Sequence, residues 1–120
     1  SQTGLHTAIK MKSDMPNLWS KLKQTGKVNL TVDTQRVPYF AQISSLAIEE
    51  VMFVAKVTGN PSSSSIKIDG NNLNLSKITE WNLTKGVNNT IELNTAFELS
   101  LTPAELSKLE DLVMVIKYSI

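Results

Sequence analysis

The last twelve residues, 109–120 (LEDLVMVIKYSI), constrain the fold more than any other stretch. Read with the two-residue period of a β-strand, Leu112, Met114, Ile116, Tyr118 and Ile120 fall on one face. Val113 and Val115 fall on the other, followed by Lys117 and Ser119. Apolar residues on both faces predict a strand covered on both sides, in the middle of a sheet. Residues 51–57 (VMFVAKV) share this two-faced character. The two stretches are read as the central strands of one domain. A chain that ends on such a strand completes its fold only when its last residues are in place.

The remaining elements follow from local signals. Leu5, Thr7, Ile9 and Met11 alternate with polar or small residues, which predicts a half-buried strand. A helix is expected near 15–25. Ser13 or Asp14 can cap it, Pro16 suits its first turn and Gly26 its exit, with Lys21 and Lys23 facing water. Val28, Leu30 and Val32 give a second strand. Pro38 makes 33–42 a connection, because proline lacks the backbone donor that a central strand needs. From Ile43 the chain is extended again. Its apolar phase changes from even to odd positions at Glu49-Glu50, which predicts a β-bulge there. Gly59-Asn60-Pro61 ends the strand, and 62–65 is expected to continue as a loop.

Asp69-Gly70 between two short apolar runs predicts a tight hairpin, because both turn positions need positive φ. Residues 77–83, 90–93 and 97–101 read as further short strands, with turns at Gly86, Asn88-Asn89 and Asn94-Thr95. Thr102-Pro103-Ala104-Glu105 has the form of a capping box with proline at the first helical position, opening a helix over 103–109. About eight strands with two short helices predict a mainly all-β protein, an antiparallel β-sandwich occupying 1–120 as a single domain.

Composition excludes several function classes. The chain has no cysteine, which removes disulfides and thiolate chemistry. Its 12 basic and 11 acidic residues argue against an electrostatic nucleic-acid binder. No apolar run approaches the roughly 20 residues of a membrane-spanning helix. With Ser1 first and no leader pattern, the chain reads as the C-terminal piece of a longer protein.

Few residues could carry chemistry. His6 is the single histidine, and a metal site needs several ligands at fixed spacing, so no metal or other cofactor is expected. Glu49 and Glu50 are a carboxylate pair, but neighbours on a strand point to opposite faces and cannot flank one glycosidic bond. Asp69 to Asn72 lacks the ligand spacing of a calcium loop. No nucleophile, base and orienting group stand at workable spacing, so the chain is read as non-catalytic. The aromatic residues offer the remaining candidates. Trp81, nearer a loop than the core-facing Trp19, is a candidate platform for stacking on a sugar. Tyr39 and Phe40 directly follow Pro38 on an extended segment, where neighbouring side chains point to opposite sides, so at least one of them should be exposed. With Arg36 they form a candidate partner-binding patch, since Tyr and Arg are enriched among interface hot spots.

Three segments together resemble a known family. They are 19–26 (WSKLKQTG) leading into the strand that follows, 37–42 (VPYFAQ) running into 43–46 (ISSL), and the terminal 109–120. In this order they resemble the C-terminal region of the A components of bacterial insecticidal toxin complexes (Tc toxins). The order Pro38-Tyr39 reverses that of the family. The resemblance implies a virulence-associated protein, secreted or on the cell surface, whose domain binds a B-component-like protein partner. The alternative is a carbohydrate-binding module or a structural domain of a larger surface protein. A sandwich suits all three.

Overall fold

The computed structural model describes residues 3–33, 45–59, 63–78, 81 and 83–120. In chain order the elements are β1 (Leu5–Lys10), α1 (Met11–Asp14), α2 (Pro16–Thr25), β2 (Lys27–Leu30), β3 (Ala47–Val57) and β4 (Ser63–Ile68). They continue with β5 (Asn71–Lys77), β6 (Leu83–Asn88), β7 (Phe97–Ser100), α3 (Pro103–Lys108) and β8 (Leu109–Ser119). The protein is mainly β, as its sequence predicts, with eight antiparallel strands among the described residues.

The strands form one curled sheet in the order β1-β8-β3-β6-β5-β4-β7-β2. Its inner face carries the core: Val51, Phe53, Ala55 and Val57 of β3, Leu112, Met114, Ile116 and Tyr118 of β8, Ile66 and Ile68 of β4, and Phe97 and Leu99 of β7. The sheet curls around this single core, and its two halves are β1-β8-β3-β6 and β5-β4-β7-β2. The edge strands β1 and β2 are consecutive strands of the chain, joined by α1 and α2. The helical pair therefore links the two open edges, and its buried Met11, Met15 and Leu22 join the core.

The predicted capping signals act unevenly. Pro16 opens α2 and Gly26 ends it in the left-handed conformation with φ 78°, as expected. Asp14 does not cap α2. Residues 11–14 instead form α1, and the Asp14 carboxylate accepts from the Lys10 amide at 2.8 Å. Met11 thereby leaves the β1 alternation and turns fully inward. Thr102 caps α3, its hydroxyl accepting from the Glu105 amide at 3.3 Å, while Glu105 Oε2 is buried without a hydrogen-bond partner. Lys23 does not face water. Its ammonium donates to the carbonyls of Leu106 at 2.8 Å and Leu109 at 2.7 Å. It holds the end of α3 against α2, where helix carbonyls lack intrahelical partners.

Two turns fall where expected. Asp69 (φ 51°) and Gly70 (φ 80°) join β4 to β5, and Asn94 (φ 62°) lies in a turn before β7. Other expectations fail. Residues 77–83 are not one strand, since Lys77 ends β5, Leu83 begins β6, and Ile78 and Trp81 lie in the connection between them. Gly86 is not a turn residue but lies within β6. A Cβ there would stand 2.6 Å from the Asn74 carbonyl oxygen and 2.7 Å from Leu75 Cδ2. Glycine is needed because β5 and β6 meet closely where the sheet curls. Residues 90–93 are not a strand. Asn88 Oδ1 accepts from the amides of Thr90 and Ile91 at 2.8 and 3.1 Å, an Asx-type turn that draws the chain out of the ladder. Ser64 and Ser65 are not loop but β4, and the buried Ser64 hydroxyl is matched by that of Thr84 at 2.7 Å.

Candidate interaction face

The predicted bulge at Glu49-Glu50 is present. Ile48 pairs with Tyr118 and Glu50 with Lys117, so Glu49 is the extra residue. Its consequence runs against the rule that adjacent strand residues diverge. The bulge turns both carboxylates to the outer face, where Glu49 and Glu50 stand 4.0 and 3.8 Å from the same Lys117 ammonium. His6, opposite Lys117 on β1, is exposed beside them. The two carboxylates share a cation and do not straddle a cleft, so the arrangement is an ion-pair cluster.

This cluster closes one end of an apolar patch. In the register of the sheet, Ala8 lies beside Val115, Val115 beside Met52, and Met52 beside Val87. All four are on the outer face of four adjacent strands. In the next row Val113 and Val54 lie side by side, with Lys10 and Lys85 outside them. Val87 is 47% exposed, and Val113, Val115, Met52 and Val54 are each partly exposed. The expectation that β8 is covered on both faces is therefore corrected. It is an interior strand, paired with β1 and β3, but only its inner face is buried. The sheet shields the inner residues almost completely, while the outer valines keep partial exposure.

Of the residues singled out from sequence, Trp81 is 62% exposed, in the turn between β5 and β6 that the hydrogen bond from the Ile78 amide to the Leu83 carbonyl closes. It precedes Leu83, at the opposite end of β6 from Val87 of the apolar row. Arg36, Tyr39 and Phe40 lie outside the described residues. Trp19 packs on the core, and its ring lies 5.9 Å from the Lys23 ammonium. Among the described residues no cluster of three or more His, Cys, Asp or Glu could hold a metal ion, and no helix is long and apolar enough to cross a membrane.

The apolar outer row was hidden in the sequence by its own signal. Alternation broken by apolar residues at 52, 54, 113 and 115 reads as double burial, because a covered face and an open apolar face have the same composition. No protein-family model and no curated protein matches the chain.

Proposed function

We propose that this domain is a non-catalytic protein-interaction module of a larger assembly, with the outer face of β1-β8-β3-β6 as its contact surface. The observation that carries this reading is the apolar patch of Ala8, Val115, Met52, Val87, Val113 and Val54, bounded along the strands by Glu49, Glu50 and Lys117 at one end and by Lys56 and Asp111 at the other. An apolar centre with a charged rim is the anatomy of a protein interface. The resemblance to the A components of toxin complexes supplies the kind of assembly, in which a B-component-like protein is the partner.

Binding to a purified B component of a toxin complex, followed by size-exclusion chromatography, tests this assignment. The wild-type protein should co-elute with it. Met52→Asp with Val115→Asp should abolish co-elution, and its melting temperature should stay within a few degrees of wild type. A wild-type protein that elutes alone overturns the assignment to that assembly.

The exposure of Trp81 favours a second reading, a carbohydrate-binding module with the indole as its stacking platform. Tryptophan fluorescence titrated with a panel of oligosaccharides checks it. Saturable quenching that Trp81→Ala removes would establish sugar binding, and an unchanged spectrum across the panel would discard it.

A further inference from the structure

We infer that the outer face binds a second copy of this chain, packed sheet against sheet about a two-fold axis that crosses the strands. The inference rests on the reading of this face as a protein-interaction surface and places a second copy there in competition with the B-component-like partner. The argument comes from the order of residues along the two strands at its centre. On β3 the outward residues run Glu50, Met52, Val54, Lys56. On β8 they run Asp111, Val113, Val115, Lys117. Each strand reads acid, apolar, apolar, base.

A two-fold axis lying in the interface and perpendicular to the strands reverses the strand direction of the second copy. It lays β3 over β3 and β8 over β8. Met52 then faces Val54 of the second copy, and Val115 faces its Val113. Glu50 comes over Lys56 of the second copy, and Lys117 over its Asp111. The symmetry repeats each contact. The flanking residues agree in sign. Glu49, Glu50 and Lys117 give their end one net negative charge, while Lys10 and Lys85, on the side of Lys56 and Asp111, fall over Ala8 and Val87 of the second copy, one row from that acidic end. Sheets packed face to face lie about 10 Å apart, their strands within about 30°, which keeps these end groups within reach of one another. A two-fold axis along the strands between β3 and β8 would also set Glu50 over Lys117 and Lys56 over Asp111 of the second copy, but it would lay Lys10 over Lys85, and those like charges favour the axis across the strands.

The area fits a reversible dimer. Four strands about 4.8 Å apart and four rows about 6.8 Å apart cover about 500 Å² on each copy. The total of about 1,000 Å² is at the lower end for specific complexes. A second copy would also supply the missing cover for the outer face of β8.

Sedimentation equilibrium at about 50 mM salt over about 5–500 µM protein tests the proposal. The wild-type protein should show a monomer–dimer equilibrium. Glu50→Lys places like charges against Lys56 of the second copy, and Lys56→Glu does the same against Glu50. Each single variant should weaken the dimer at least about tenfold. An equimolar mixture of the two variants restores opposite charges at both ends and should regain wild-type affinity within about threefold. A folding defect cannot produce that rescue. A protein that stays monomeric over the whole range overturns the dimer, while co-elution with the B component lost on changing Met52 and Val115 would leave the interaction face standing. A dimer indifferent to both charge variants and to Met52→Asp overturns this use of the face. Failure of the mixture to recover overturns the antiparallel register.

Discussion

The two halves of the sheet differ on their outer faces and agree on their inner ones. Across β5, β4, β7 and β2 the outward residues are Asn72, Asn74, Ser76, Ser65, Lys67, Glu98, Ser100, Lys27 and Asn29. All are polar. Lys27 and Glu98 make an exposed ion pair at 3.9 Å, the usual decoration of a solvated antiparallel face. Across β1, β8, β3 and β6 the central outward positions are Ala8, Val113, Val115, Met52, Val54 and Val87. Both inner faces are equally apolar. The polar half shows that this fold is satisfied with one buried face, so folding of the chain alone does not require the apolar exterior of the other half. That exterior is available for association.

The contrast between inside and outside is sharpest on β8. Leu112, Met114, Ile116 and Tyr118 are all at most 6% exposed, and each is worth about 1.5–3 kcal/mol if fully buried. Removing residues 112–120 takes away about 6–12 kcal/mol against a whole-domain stability of about 5–15 kcal/mol. It also strips both β1 and β3 of a partner strand. The truncated protein should be unfolded by circular dichroism and quickly digested by protease. Cooperative melting of the truncation would show that this half is peripheral and would break the comparison.

Neighbouring residues of β3 then separate the two faces. Phe53 is fully buried, and Phe53→Ala should cost about 3–5 kcal/mol in urea denaturation. At the seam between the halves, Gly86→Ala forces a methyl against the Asn74 carbonyl and Leu75. It should cost about 1–3 kcal/mol. A neutral result would mean that β5 and β6 can separate, so that the halves are less tightly joined than the geometry indicates. Val54→Thr is the smallest change. It should shift stability by less than about 0.5 kcal/mol when measured at a concentration at which sedimentation shows the monomer. A loss approaching that of Phe53→Ala would show Val54 covered within a single chain and would erase the difference between the halves.

The sequence by itself determined the local elements. Pro16 and Gly26 bound α2, Thr102 and Pro103 open α3, Asp69-Gly70 sets a hairpin, and the phase change at Glu49-Glu50 sets a bulge. Each depends on backbone preferences that act within a few residues, so a short stretch of chain suffices to specify it. Tertiary structure decided what depends on residues distant in the chain. Glycine at 86 is fixed by the approach of Asn74 and Leu75, not by a turn. Lys23 finds its acceptors more than eighty positions away, at Leu106 and Leu109. Glu49 and Glu50 converge only because β8 presents one lysine to the bulge. The valines of β8 read as doubly buried because composition records which side chains avoid water, while the strand order decides whether anything in the same chain lies over them. Here that order placed β1 and β3 beside β8 and nothing of the described chain above its outer face.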